Sequence, residues 1–208
     1  MLMVCAEDRA CEVPPAPRHD ALVRAFDPDS FAQSCIDALV EQDPADVIRQ
    51  LIQRAVTEPR SMELACPVPL DPSDDGIIHR SDAIMVCHAV FPRRFRTGIH
   101  NHGVEAIIGV WSGYEDNHLF EETGGRIRSL GPRRVEAGEV LVLGVDAIHD
   151  VHTPPTTWSA ALHVYLGDIS TVSRSTLASV NDSASPFDGE QQQRHWKEVA
   201  VATGLVVE

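Results

Sequence analysis

The chain has 208 residues, room for one medium domain with helical ends and too few for two full domains. Its 31 acidic residues outweigh 17 basic ones for a formal charge of −14, a balance that excludes a surface built to hold nucleic-acid phosphates or anionic lipid. No apolar run approaches the roughly 18 residues needed to cross a bilayer, so a soluble protein with neither a nucleic-acid nor a membrane partner is expected.

The start of the chain, Met1-Leu2-Met3-Val4-Cys5, is apolar but too short for a secretory segment, and Glu7 and Asp8 follow at once. A cytoplasmic location is expected. Residues 1–20, rich in acids and prolines and without hydrophobic period, read as a flexible arm. Cys5, Cys11, Cys35, Cys66 and Cys87 are scattered and never spaced as C-x-x-C, which fits neither a disulfide framework nor a thiolate zinc site, so reduced thiols are expected.

Residues 21–76 read as a helical segment. Asp27-Pro28-Asp29-Ser30 supplies capping residues before Ile36, Leu39 and Val40, and Pro44-Ala45-Asp46 leads into Val47, Ile48, Leu51, Ile52, Ala55 and Val56 at amphipathic spacing. These predict two short helices. From residue 77 to 168 the pattern changes to short apolar or alternating runs at 83–87, 106–111, 140–143 and 159–166, broken by glycine and proline, as in a β-sandwich or barrel. Gly124-Gly125 reads as a hairpin turn between 117–120 and 126–130. Residues 169–208 read as a polar extension with a short helix around Trp196, Val199 and Val201.

Ten histidines concentrate toward the barrel region, and His100-Asn101-His102 is the sharpest local feature. Side chains two apart on a strand project from one face and can offer two imidazoles to one metal ion. Alone, the pair reads equally as two hydrogen-bonded histidines near a strand end. Downstream, Gly138, Gly144, Asp146, His149 and Thr153 stand at the spacing G-x5-P-x-G-x2-H-x3-N. That pattern resembles the second motif of the cupin superfamily, with the first glycine and the histidine retained. The first cupin motif, G-x5-H-x-H-x3-4-E-x6-G, fits with Gly113 as its end and puts its metal-binding carboxylate slot at Ala106. Glu105 is one residue away and faces oppositely along a strand unless a bulge intervenes, so it is expected as a solvent-facing or supporting acid.

Three histidines without the glutamate resemble the thiol dioxygenases among the cupins, the cysteine and 3-mercaptopropionate dioxygenases. The stretch from His79-Arg80-Ser81 through Gly109-Val110-Trp111-Ser112-Gly113-Tyr114 to His163-Val164-Tyr165-Leu166-Gly167-Asp168 looks like the small cysteine-dioxygenase-type cupins of bacteria. The resemblance implies a single cupin barrel, a double-stranded antiparallel β-helix with flanking N-terminal and C-terminal α-helices. It implies His100, His102 and His149 as ligands of Fe(II), with Zn(II) or Ni(II) as alternatives in purified protein. Three neutral imidazoles leave the +2 charge uncompensated, which suits a small anionic substrate such as a thiolate, with O2 as co-substrate and a sulfinate as product.

In those enzymes a Ser-x-His-x-Tyr strand supports the site. Ala161, His163 and Tyr165 fall on its positions, Tyr165 to donate to bound oxygen or substrate and His163 to hold the phenol, with a core pair closing the barrel as the other reading. The cysteine that some relatives link to the tyrosine falls near Ala106, and Cys87 is expected as a buried strand residue. Arg80 is the positional match to the carboxylate-seating arginine, and Arg96, in the basic cluster with Arg93 and Arg94, is a second substrate-binding candidate. Each reads also as a surface or rim arginine. His152 is expected to support the site or lie exposed, and His88 and His118 read as ordinary strand or loop histidines. Two further functions stay open: a three-histidine cupin that cleaves a β-diketone, and a non-catalytic cupin binding metal or a small ligand. Assembly as a homodimer is open as well.

Overall fold

Two Asp-Pro pairs open the helical segment, each with aspartate as cap and proline in the first turn, where its missing N–H costs nothing. In the computed structural model, which describes residues 25–66, 68 and 76–206, Asp27 accepts from the Ser30 N–H at 2.7 Å to start α1 (Pro28–Asp37). Asp43 accepts from the Asp46 N–H at 3.1 Å to start α2 (Pro44–Val56). A third helix that hydrophobic period did not single out, α3 (Pro59–Ala65), follows Glu58. The arm expected over residues 1–20 lies outside the described residues.

The remainder is mainly β. One antiparallel sheet holds β1 (Ile77–Arg80), β2 (Met85–Phe91), β9 (Ser159–Tyr165), β4 (Ala106–Ser112) and β7 (Val140–Leu143), in that order. The other holds β11 (Ser185–Pro186), β10 (Ser175–Leu177), β3 (Ile99–Asn101), β8 (Ile148–His152), β5 (Tyr114–Thr123) and β6 (Arg126–Glu136). From β2 to β5, and again from β6 to β10, successive strands alternate between the sheets. The sheets face each other across a core of Met85, Val104, Ala106, Ile108, Val110, Leu141, Leu143, Ala161 and Tyr165. This is the double-stranded β-helix barrel of the cupin type.

A second core lies on the outside of the first sheet. Ile48, Ile52 and Val56 of α2 pack there with Ile107, Trp111, Ala160, Leu162 and Val164. All seven residues of β9 are therefore buried, which is why 159–166 reads as a continuous apolar run rather than an alternating one. Gly109 is where α2 comes closest, for a Cβ there would overlap Ile52 Cγ2 and lie 2.9 Å from Val56 Cγ1. The hairpin at Gly124-Gly125 forms as expected, with φ of 60° and 76°, between β5 and β6.

The region after residue 168 does more than its polar composition suggests. β10 pairs with β3 and β11 with β10, so the second sheet continues into the extension. The expected short helix is α4 (Gly189–Thr203), 15 residues long, started by the Asp188 carboxylate accepting from Gln191 N–H and stopped at Gly204 with φ 72°. Trp196 Nε1 donates to the Val90 carbonyl at 2.7 Å and ties α4 to β2. Cys35 and Cys66 are buried, and Cys87, expected to be buried, is half-buried. No helix among the described residues is long and apolar enough to cross a membrane.

Gly109→Val should destabilise the fold by about 1–3 kcal/mol, the usual cost of overpacking a filled site. Urea denaturation of the variant checks this, and Ile52→Ala in the same background should recover part of the loss because it removes the overlapping atoms.

Candidate metal centre

β3 and β8 are neighbours, and their register sets His100 directly opposite His149. His102 follows β3 instead of belonging to it, since the strand ends at Asn101 and Gly103 bends the chain at φ 69°. The expected pair of histidines on one strand face is thus a strand residue and a loop residue that converge. The three rings lie 4.6–5.1 Å apart between centroids. His149 Nε2 and His102 Nε2 are 3.4 Å apart. Two nitrogens about 2.1 Å from a shared ion stand about 3.0–3.4 Å apart.

What the far ring nitrogens do fixes the near ones. His149 Nδ1–H donates to Asn117 Oδ1 at 2.9 Å, and His100 Nδ1–H donates to the Gly98 carbonyl at 3.0 Å. Each proton held on Nδ1 leaves an Nε2 lone pair for the centre, the arrangement by which metal-binding histidines are oriented. All three are buried, at 6%, 4% and 1% exposure for His100, His102 and His149. Burial pushes His100 down to about 4 and holds His102 and His149 well below the ordinary imidazole range, so all three are neutral at physiological pH. Three converging neutral imidazoles are a donor set that can hold a divalent ion such as iron, zinc or nickel.

Ala106, in the slot where cupins carry their glutamate, is fully buried and opposite Tyr165 in the pairing of β4 with β9. Its methyl adds no charge. Glu105 is half-buried just before β4 and does not line the cavity next to the triad. That cavity, of about 350 Å³, is lined by the three histidines with His163, Tyr165, Phe91, Val151 and Phe187, and by Gln192 at the start of α4.

His163 and Tyr165 share the inner face of β9. Their polar atoms meet at 2.9 Å between His163 Nδ1 and Tyr165 Oη, and the Tyr165 ring is 5.2 Å from that of His102. His163 Nε2 is buried without a hydrogen-bond partner. A buried lone pair without a partner costs less than a buried N–H without one, so the proton sits on Nδ1 and donates to Tyr165. The phenolic O–H is then not used on His163, and Tyr165 lines the cavity. Burial pushes His163 down to about 3, which keeps it neutral, and raises Tyr165, which keeps it a phenol.

The expected substrate-binding arginines are elsewhere. Arg80 ends β1 half-exposed, with Nε 3.9 Å from Asp168, and does not line the cavity. Arg96 is 65% exposed on the outer face, where its Nε contacts His152 Nε2 at 2.7 Å. Both follow from strand geometry: Arg80 is on an edge strand, and Arg96 is bridged to His152, whose side chain points opposite to Val151. The arginine that does line the cavity is Arg174, which sequence reasoning missed. Its Nε donates to the Asn101 carbonyl at 3.1 Å and its guanidinium stacks 3.8 Å over Phe187. No carboxylate among the described residues pairs with it. The only signal in the sequence is a lone basic residue in the polar stretch 170–185.

Glu115 was missed too. Two residues before Asn117 on β5, it is 1% exposed and accepts from the Ser159 hydroxyl at 3.1 Å, with Oε2 unpartnered among the described residues. Burial pushes its carboxyl up to about 7 from 4.5.

No protein-family model matches the chain, and no curated protein sequence matches it. Among solved structures it is similar to an oxalate oxidase in complex with the substrate analogue glycolate, at 18% identity over 41% of this chain and 42% of that one, TM-score 0.35. It is similar to the DMSP lyase DddQ from Ruegeria pomeroyi DSS-3, at 21% identity over 50% and 47%, TM-score 0.38. A third is procruciferin, an 11S globulin from Brassica napus, at 10% identity over 46% and 23%, TM-score 0.38. The match therefore spans less than half the length of each. The chain's own strand order and side chains define its class: a cupin-type barrel with a buried three-histidine centre that can hold a metal ion.

His149→Ala should abolish metal binding at this centre, and Asn117→Ala should weaken it about 10–100-fold by releasing the ring; metal titration of the apoprotein measures both. Glu115 makes stability fall with pH, because between 4.5 and about 7 the folded state keeps a proton that the unfolded chain releases. Its favourable contribution is complete below 4.5 and lost as pH rises through about 7. From pH 5 to 8 the wild type should lose about 2–3 kcal/mol more than Glu115→Gln in denaturant melts.

Proposed function

We propose that the protein is an Fe(II)-dependent dioxygenase that oxidises a small thiol carboxylate to a sulfinate with O2. The observation that carries this reading is one cavity holding both a carboxylate-free histidine triad and a half-buried arginine, Arg174, with no acidic partner among the described residues. A charge drawn out of water is normally paired, so the cavity suits a ligand that brings its own anion. A thiol carboxylate brings two, a thiolate for the triad side and a carboxylate for the guanidinium.

Iron, when bound, supplies the redox chemistry that ordinary side chains lack. The overall reaction, RSH + O2 → RSO2H, places both oxygen atoms on sulfur and needs no outside reductant. The chain's residues provide position and exclusion of water. His100, His102 and His149 hold the metal from one side. Arg174, steadied by the Asn101 carbonyl and the Phe187 ring, seats the carboxylate with its two terminal nitrogens. Tyr165 offers its O–H to the oxygen or sulfur of the reacting group, and His163 holds the phenol in place. Phe91, Val151 and Phe187 keep the site apolar.

A β-diketone cleavage is the second reading, favoured by Ala161, which supplies no hydroxyl where thiol dioxygenases have serine. A diketonate leaves Arg174 without a second anion, and for that reason the thiol acid is preferred.

Iron-loaded protein should consume one O2 per thiol with cysteine or 3-mercaptopropionate and yield the sulfinate, read by an oxygen electrode and mass spectrometry. No uptake with any thiol removes the reading, and uptake with acetylacetone alone moves it to the diketone. Arg174→Ala should raise KM for 3-mercaptopropionate about 10–100-fold, as expected for one charge-assisted pair, with a smaller effect on the uncharged-tail thiol 2-mercaptoethanol.

A further inference from the structure

The outer face of the same sheet carries a second cluster of side chains able to ligate a metal, His118, Asp150 and His152, of which His118 reads from the sequence as an ordinary histidine and His152 as a supporting or exposed one. β8 alternates, sending His149 inward and Asp150 and His152 outward. Its pairing with β5 puts His118 directly across from Asp150. The Asp150 carboxylate takes both rings, His118 Nδ1 at 2.9 Å on Oδ1 and His152 Nε2 at 3.1 Å on Oδ2. All three ligand atoms fall within 4.8 Å of one another. A tetrahedral zinc ion with bonds of about 2.1 Å sets its ligand atoms about 3.4 Å apart, so small side-chain shifts suffice.

Proton bookkeeping at His152 favours a cation among these side chains. Arg96 Nε, at 2.7 Å, must donate to His152 Nε2, while Asp150 Oδ2, at 3.1 Å, needs that nitrogen to donate to it. One imidazole nitrogen does one or the other. If neutral there, its lone pair faces the carboxylate; if protonated, its N–H faces the guanidinium. A divalent ion between the two histidines and Asp150 removes the conflict, because His118 Nδ1, His152 Nε2 and a carboxylate oxygen all become donors of lone pairs. Arg96, 65% exposed, is free to swing away. Neighbouring Asp116 is already held by Arg134 through two bonds of 2.7 and 3.0 Å, which leaves water as the fourth ligand. His118 and His152 side chains are 33% and 24% exposed, so that fourth position opens to solvent.

We infer that His118, Asp150 and His152 form a second divalent-metal site on the outer face of the barrel, with two imidazoles and one carboxylate suited to Zn(II), gated by displacement of Arg96. Nitrogen donors with one carboxylate favour zinc over calcium or magnesium. The inference does not depend on the proposed activity, since it concerns the opposite face of the sheet.

The test is calorimetric titration of the apoprotein with Zn(II), repeated with Co(II) to read ligand geometry from its visible spectrum. Wild type should bind two ions per chain. His118→Ala and His152→Ala, both at the surface, should each bind one, and His100→Ala/His102→Ala should keep one. Arg96→Ala should tighten the outer ion about tenfold or more, since one charge-assisted hydrogen bond no longer competes; a merely structural cluster predicts no such gain. The inference is overturned if either outer variant still binds two ions, if the inner double variant binds none, or if Arg96→Ala leaves affinity unchanged.

Discussion

The pairing of β3 with β8 in one particular register, His100 opposite His149, is the constraint on which the rest of the molecule depends. A slip of one residue would turn His149 outward and Asp150 into the barrel, replacing a neutral ligand by a buried charge. β3 is only three residues long and does not hold this register by its own ladder. Its flanks do. The Thr97 hydroxyl accepts from Val151 N–H at 2.9 Å on one side. On the other, the Thr176 hydroxyl donates to the Ile99 carbonyl at 3.0 Å, and the Asn101 side-chain oxygen accepts from Ser175 N–H at 2.8 Å. The C-terminal extension thus braces the strand that carries His100 and, in the same few residues, delivers Arg174 to the cavity.

Charge is divided by the same sheet. The chain carries −14 overall, yet the triad cavity holds neutral imidazoles and an arginine. Removal from water does this: burial is the largest cause of the depressed His100, His102 and His149, outweighing the opposing pull of Asp150 on His100, and for His102 and His149 the proximity of other rings adds to it. Protons therefore compete weakly for the lone pairs that face the centre. The carboxylate next in sequence, Asp150, points the other way and gathers His118, His152 and Arg96 around itself. One strand thus separates a cavity of neutral imidazoles and an arginine from an outer cluster built around a carboxylate.

Much of this was legible beforehand wherever the signal was local. The His100-Asn101-His102 pair, the alternation that pairs His163 with Tyr165, the Gly124-Gly125 turn and the Asp-Pro caps each follow from a few neighbouring residues, and the resemblance to the cupin motifs adds His149. Arg174 was not, because its contribution arises at a sheet edge, where a short Ser- and Thr-rich strand has no apolar period to mark it. Arg80 and Arg96 looked suitable by position along the chain, but an edge strand and an outward register take them away from the cavity. His118 and His152 are far apart along the chain and meet only because β5 and β8 are paired.

The sequence by itself determined a β-rich region with a pair of histidines two apart, since binary pattern is a property of short chain segments, and its resemblance to the cupins added the barrel and His149 to that reading. Tertiary structure alone decided which arginine reaches the cavity, which way Asp150 faces, and that Glu115 is sealed away from water. Those are outcomes of strand register and sheet order, long-range pairings fixed by the summed packing of two cores and written at no single position.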